Sequence, residues 1–457
     1  METLLSINPS RNYEVNGEVK STTVEEIKNK VHAANKAKQE WKEFGIKKRI
    51  KLLHPIYEGF KLRQKEIASL ITKEMGKTID SAEAEASNYI SEFKWFMDNA
   101  PAGVADEVTH KDEKSIHKIV YEPLGSAAVI TPWNFPFGMF IWGTIPNLIV
   151  GNTVVAKMTK ECPLLSKLVE DVMTSHELPK GVFSMVYGKG SEVGKILAES
   201  DVNLIWFTGS TKIGKMLYKI AAEKFIKVIL EMGGSNPCIV FDDVDISEAV
   251  PIIYDARFYN AGQVCDAVKR LIVHESIFDE LVNQLKEYVE SKTVGDPMEK
   301  NTDIGSLVAE RQQILIQKQV DDARKRGANI IIGGKAPQDL KGAYYEPTII
   351  TNVKKDMRVW NEEVFGPVLP VVPFKTENEA VQIANDTPYG LGSRVLSKDL
   401  TRARRVASRI EAGTVEINKG NRWLPCNPFG GYKESGMGRE HGVVGFRELC
   451  QIKVISE

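Results

Sequence analysis

The chain has little that would tie it to a membrane, a nucleic acid or an oxidising compartment. Only five cysteines, Cys162, Cys238, Cys265, Cys426 and Cys450, are scattered over 457 residues. They are too few and too far apart for a disulfide framework, and no pair has metal-ligand spacing. No run of about 18 apolar residues appears, so no membrane-spanning helix is expected. The start, Met1-Glu2-Thr3-Leu4-Leu5-Ser6, lacks the basic region and long apolar stretch of a secretory signal. Charge is balanced too: 60 Lys and Arg face 61 Asp and Glu, which gives no electrostatic case for nucleic acid or an anionic membrane. The basic group Arg402, Arg404, Arg405 and Arg409 reads as the solvated face of a helix. These absences lead us to expect a cytoplasmic protein with a small-molecule partner and no metal.

What is present is a long chain, 42% hydrophobic, enough for two or three domains. Helical periodicity runs over residues 23–43, 46–75 and 80–99, and a polar segment at 107–122 suits a hairpin arm without a core of its own. From Gly125 the pattern alternates. Apolar runs at 127–130, 153–156, 183–187, 204–207 and 228–230 are separated by helical stretches near 162–176, 190–200 and 211–225. That alternation predicts an α/β fold with a doubly wound parallel sheet, whose ligands sit beyond the carboxyl ends of the strands, where Thr131, Thr208 and Glu231 fall. A second set follows, with strands near 238–241, 271–273, 329–332, 368–373 and 414–417 and a helix near 276–290. The chain closes on a glycine-rich loop at 430–438 and a short strand at 452–455.

Three stretches carry chemistry. In Phe258-Tyr-Asn-Ala-Gly-Gln-Val-Cys-Asp-Ala-Val-Lys-Arg270, a lone thiol follows small and amide residues, where Gly262 allows a tight turn. Leu230-Glu-Met-Gly-Gly-Ser-Asn-Pro237 ends an apolar run in an acid, and Thr131-Pro-Trp-Asn-Phe-Pro136 supplies an amide. A nucleophile, a carboxylate and an amide donor are the parts needed for acyl chemistry through a thioester. Each also has a plain structural reading: Cys265 as a buried core thiol, Glu231 as a strand-end acid paired with a lysine, and Asn134 as a cap on the helix after Pro136.

These motifs, with Phe207-Thr-Gly-Ser-Thr211, Glu362-Glu-Val-Phe-Gly-Pro367 and Pro428-Phe-Gly-Gly-Tyr-Lys-Glu-Ser-Gly436, in this order, resemble the aldehyde dehydrogenase superfamily from about Ile7 onwards. The resemblance implies Cys265 as nucleophile and Asn134, with the Cys265 backbone N–H, as the oxyanion donors. It implies Glu231 as the base that activates water. It further implies a dinucleotide held by Thr131, Trp133, Lys157, Gly209, Ser210, Glu363 and Phe365. The implied domains are a cofactor domain (1–104 and 123–233), a catalytic domain (234–433) and an oligomerisation arm (105–122 and 434–457). The arm would pair its hairpin with the C-terminal strand of a partner in a homodimer or homotetramer. Asp266 departs from expectation, since a carboxylate beside a thiol disfavours the thiolate. In an extended segment it would face away.

Where relatives that prefer NAD place a glutamate, this chain has Lys160, so NADP is expected to be accepted and preferred, with NAD the alternative. An outward-pointing Lys160 is the bland reading. Arg49-Ile-Lys-Leu-Leu, Thr72-Lys-Glu-Met-Gly-Lys, Gly262-Gln-Val-Cys and Gly438-Arg-Glu-His are most similar to the succinate-semialdehyde dehydrogenase branch. Oxidation of succinate semialdehyde to succinate is therefore the expected reaction. The arginines such enzymes use for the remote carboxylate are replaced, however, by Tyr259 and by Trp142 and Gly143. That leaves Arg422 and Arg257 as candidate anchors, with Trp142 and Phe429 as other substrate contacts. Phe137, Phe140, Trp142 and Trp423 would equally build an apolar mouth. The alternatives are a broad-specificity or short-chain aldehyde dehydrogenase, a coenzyme A-acylating semialdehyde dehydrogenase, and a non-catalytic homologue.

Overall fold

Largely apolar runs such as Thr153–Lys157 and Leu204–Thr208 are buried along their whole length, which only a sheet covered on both faces permits. The structure, a computed structural model, describes residues 2–419 and 424–457. Its first large sheet has the order Gly436–Met437, Lys227–Glu231, Leu204–Thr208, Ser126–Ile130, Thr153–Lys157, Phe183–Met185. All neighbours are parallel except the first pair. One face is covered by the wholly buried helix Pro136–Val150 and by Gly45–Leu62 and Ile79–Gly103. The other is covered by Val24–Glu43 and Thr211–Lys224. Helix Val24–Glu43 starts on a capping box in which Thr23 and Glu26 satisfy each other's backbone N–H.

The second sheet orders Asn329–Ile332, Thr348–Thr351, Val368–Phe374, Val268–His274, Asn236–Val240, Gly392–Leu396 and Thr414–Ile417. It too is parallel apart from its first pair. The chain passes from the first sheet to the second at residues 232–235, between Glu231, which ends a strand of the first, and Asn236, which begins one of the second.

Two expectations need correction. The helix expected over 46–75 breaks at Arg63 into Gly45–Leu62 and Gln64–Met75, with the Arg63 guanidinium turned onto Glu66 at 2.8 and 2.7 Å. The hairpin Glu107–Lys111 and Ile116–Pro123 does pair with a C-terminal strand, Cys450–Ser456, but within the same chain, Ile452 opposite Tyr121. The reason is local: helix Gly442–Glu448 packs on Ile79–Gly103, Phe446 fills the space left by Gly103, and Arg447 Nε donates to Gly103 O at 3.1 Å. The chain therefore arrives at the hairpin edge by itself. The segment after residue 434 serves both the first sheet, through Gly436–Met437, and this arm.

Among the described residues no helix is long and apolar enough to cross a membrane.

Candidate active site

Helix Ile246–Phe258 ends in a tight turn, Tyr259–Gly262, in which Asn260 and Ala261 take left-handed conformations (φ 53° and 52°). At Gly262 (φ +70°) a Cβ would stand 2.3 Å from Gly366 O, so the backbone of the nucleophile loop can lie on the 366–367 segment only because this residue is glycine. Fully buried Gln263 anchors the loop: its Oε1 accepts from Val308 N–H at 3.0 Å and its Nε2 donates to Asn260 O at 3.2 Å. Asn134 lies across from this turn. Its Nδ2 donates to Gln263 O at 3.0 Å, and Asn260 Nδ2 donates back to Asn134 O at 3.1 Å. It does not cap the following helix. Glu85 does that, Oε1 accepting from the N–H groups of Phe137 and Gly138 at 3.1 Å each, while its other oxygen meets Lys77 Nζ at 2.5 Å in a wholly buried pair.

Cys265 is half-buried, and its thiol is pushed up in pKa, first by burial and then by Asp266, with smaller contributions from Glu363 and Glu231; Lys269 opposes them. Asp266 does not stand clear of the thiol as expected. The chain turns here, Ala267 N–H reaching Val264 O at 3.3 Å, so strand alternation does not apply and the carboxylate is buried beside the sulfur.

Glu231 ends its strand 2% exposed. Neither carboxylate oxygen has a hydrogen-bond partner among the described residues, and no lysine pairs with it. Burial raises its pKa well above the usual range, the second buried acid Glu440 adds to that, and Arg439 opposes. Glu440 is raised in turn by burial and by Glu92. Glu92 Oε2 accepts from Trp142 Nε1 at 2.7 Å, and its Oε1 lies 3.1 Å from His441 Nδ1, close but not aligned for a hydrogen bond. Sequence reasoning missed Glu440, Glu92 and Lys269 as site residues. Of these, Glu440 and Lys269 sit inside stretches already singled out, whereas nothing local marks Glu92.

Of the expected dinucleotide contacts, Thr131, Trp133, Lys157, Gly209 and Ser210 sit on or just after strands of the first sheet, whereas Glu363 and Phe365 precede Val368–Phe374 of the second. Thr131 and Thr208 hold buried hydroxyls without partners among the described residues, polar groups of the kind a ligand would satisfy. Thr131 N–H donates to Lys157 O at 3.1 Å. Ser210 opens helix Thr211–Lys224 with its hydroxyl unused for capping, and Gly209 precedes it, so the first N–H groups suit a phosphate. Buried Lys157 Nζ donates to Met158 O at 3.1 Å and burial lowers its pKa to about 8. Lys160 is half-exposed, 3.4 Å from Glu161. Glu363 Oε1 accepts from Gly234 N–H at 3.0 Å and faces Lys269 Nζ at 3.4 Å. Trp133 and Phe365 meet edge to face at 5.4 Å. These residues fit a dinucleotide.

Beside the nucleophile loop opens a cavity of about 950 Å³ reached by Val264, Asp266 and Ala267. Its described lining holds five carboxylates, Glu85, Glu92, Asp255, Asp266 and Glu416, and two permanent cations, Arg394 and Lys419. Tyr89, Trp95, Phe135, Trp142, Tyr259 and Phe429 supply rings. Trp142 and Phe429, expected as substrate contacts, both line the cavity. Arg257 is fully buried and donates to Val364 O at 3.1 Å and to Gly366 O. Its Nη2 braces the backbone segment that Gly262 touches, and Arg257 is not among the described residues that line the cavity. Phe137 and Phe140 are core residues, packed on Phe60 and Phe183, because the helix that carries them is buried on every side. Arg422 and Trp423 lie outside the described residues.

A model of the aldehyde dehydrogenase family matches residues 1–455. A betaine aldehyde dehydrogenase from Bacillus subtilis (strain 168) is 38% identical over 429 residues, 93% of this chain and 88% of that one. A mitochondrial succinate-semialdehyde dehydrogenase from Oryza sativa subsp. japonica is 36% identical over 433 residues, 94% and 82% of the two chains. The solved structure of betaine aldehyde dehydrogenase from Staphylococcus aureus in complex with NAD+ has a TM-score of 0.94 at 36% identity, covering 100% of this chain and 91% of that one. With a family match over nearly its whole length and relatives of this similarity, the chain belongs to the aldehyde dehydrogenase family and is an oxidoreductase.

Proposed function

We propose that the protein oxidises a cationic aldehyde, one bearing an amine or a quaternary ammonium, to its carboxylic acid through a thioester on Cys265. The sulfur attacks the carbonyl carbon, and the oxygen that becomes negative is met by the Asn134 amide and the Cys265 N–H. The nicotinamide of NAD or NADP, when bound, supplies the electron acceptor. Trp133, Glu363 and Phe365 would hold it. Glu231 then takes a proton from water, which attacks the thioester carbon and returns the sulfur to Cys265. A dedicated water-activating acid favours hydrolysis over transfer to coenzyme A.

The observation that carries the substrate class is the lining of the cavity. Glu416 is neutralised by Arg394, Glu85 by Lys77 behind it, and Lys419 leans on Glu248 at 3.7 Å. Among the described lining residues Glu92 and Asp255 remain beside the aromatic rings, surroundings that attract an alkylammonium through charge and ring faces. The name of the Bacillus subtilis relative points the same way. Succinate semialdehyde is the second reading, favoured by the rice relative. Betaine aldehyde and 3-aminopropanal are expected to give kcat/KM at least about tenfold above succinate semialdehyde, about 1.4 kcal/mol of discrimination. The reverse order in that panel overturns the cationic reading and leaves the oxidation itself intact.

For the cofactor, the Staphylococcus aureus complex supports NAD, and Lys160 supports acceptance of NADP. An ammonium at this place attracts a 2′-phosphate that a carboxylate would repel. Lys160→Glu is expected to lower the NADP to NAD ratio of kcat/KM at least about tenfold. An unchanged ratio would mean that Lys160 stays with Glu161 and solvent.

A further inference from the structure

Lys269, four residues after the nucleophile, is 1% exposed, and nothing above gives its charge a task. It stands at the start of strand Val268–His274, yet its side chain folds back on the turn before it. Nζ donates to Cys265 O at 2.6 Å and to Val264 O at 2.9 Å, and lies 3.4 Å from Glu363 Oε1 and 5.7 Å from the centre of the Phe365 ring. A buried ammonium is tolerated only where its contacts offset the lost hydration. Two backbone carbonyls alone would be served as well by a neutral amide, which costs far less to bury. The distinctive contribution of a lysine here is a positive charge within the shell of the thiol.

The groups around that thiol are otherwise all unfavourable to its ionisation. Asp266 and Glu363 face it with negative charge, Tyr89 is a neutral neighbour, and the residue is half-buried. Lys269 itself is faced by Glu363, Asp266 and Arg257, and Arg257 is committed to the carbonyls of Val364 and Gly366. We infer that Lys269 is a positioning residue that fixes the carbonyls of Val264 and Cys265 and, by its charge, supports the thiolate of Cys265 against the carboxylates of Asp266 and Glu363. Its contact with Glu363 also ties the nucleophile turn to the residue expected at the nicotinamide ribose. If Glu363 turned to ribose hydroxyls, the ammonium would be less neutralised and its influence on the sulfur would grow. The inference rests on the reading of Cys265 as the nucleophile.

The test follows alkylation of the Cys265 peptide by iodoacetamide, by mass spectrometry, as a function of pH in the full-length enzyme. Reading one peptide keeps exposed Cys426 out of the measurement. In Lys269→Gln, which keeps donors for both carbonyls and loses the charge, the alkylation midpoint is expected to rise by at least about one pH unit, with kcat falling tenfold or more and aldehyde KM changing less than about threefold. Lys269→Arg, which keeps the charge, is expected to recover most of the shift. Should Lys269→Gln fail to fold, Lys269→Met and Lys269→Arg carry the same comparison of midpoints. A folded Lys269→Gln with the parental midpoint overturns the inference and reduces Lys269 to a structural tie. Turnover surviving in Cys265→Ala would instead strike the nucleophile assignment, a distinguishable outcome.

Discussion

Cys265→Ala is expected to lower kcat for aldehyde oxidation on the order of 10⁴-fold or more, with no burst of reduced cofactor. Removing a covalent nucleophile leaves binding and the oxyanion donors without a bond to make. No other sulfur substitutes: Cys162, Cys238 and Cys450 are buried and Cys426 is exposed outside the nucleophile turn. Cys265→Ser is expected to be nearly as poor, because surroundings that already hold a thiol protonated hold an alcohol far more firmly. The same shift sets the pH dependence of the acylation step in the parent enzyme. A thiol raised by burial and by Asp266 is mostly protonated near neutrality, so alkylation and acylation should both rise with pH into the alkaline range. Asp266→Asn removes the second cause and should move that limb to lower pH. The loss in Cys265→Ala is chemical, since deleting a half-buried thiol from a turn braced by Gln263 should move Tm by only about 3 °C or less. Rapid-mixing measurement of the first turnover beside a thermal melt checks both, and turnover within tenfold of the parent would sink the nucleophile reading.

The parallel strands from Ser126 to Glu231 were legible because each is a short apolar run bounded by helix signals, and the strand ends Thr131, Thr208 and Glu231 followed from that order. The N-terminal pair Thr3–Asn8 and Glu14–Lys20 was not, because the inward positions of Thr3–Asn8 include Ser6 and Asn8 beside Leu4, so alternation of burial is not alternation of hydrophobicity. Helix Glu310–Lys325 escaped for a similar reason: it buries Ile316, Val320 and Ala323 together with Gln319 on an otherwise charged sequence. At the site, Cys265, Asn134 and Glu231 were marked by motifs that carry their chemistry locally. The roles of Asp266 and Arg257 were misjudged, because which way a side chain points depends on a turn at 264–267 and on a backbone segment more than a hundred residues away. Glu92 shows the limit most clearly. It is an ordinary helix glutamate until the fold brings His441 and Trp142 to it.

Glu231→Gln is expected to cut steady-state kcat on the order of 10² to 10⁴-fold while leaving a first-turnover burst of reduced cofactor close to one equivalent per site. The amide preserves the shape of the side chain and cannot take a proton from water, so the thioester on Cys265 forms and then waits. The resting state of the parent makes a second demand. A carboxyl whose pKa is held well above the usual range, first by burial and then by Glu440, resists ionisation, whereas a general base must be ionised. Hydrolysis of the thioester should therefore accelerate as pH rises. Glu440→Gln, which removes the neighbouring negative charge, should shift that acceleration to lower pH, whereas Arg439→Gln should shift it higher. Stability has the opposite slope. The unfolded carboxyl ionises near pH ~4.3, so above that value the unfolded state sheds a proton that the folded state keeps, and the contribution of this group to stability falls as pH rises until the folded carboxyl also ionises. Glu231→Gln, with no proton to lose, should accordingly gain in Tm relative to the parent as pH rises above ~4.3. A variant that loses the burst along with steady-state turnover would place Glu231 before the thioester rather than after it.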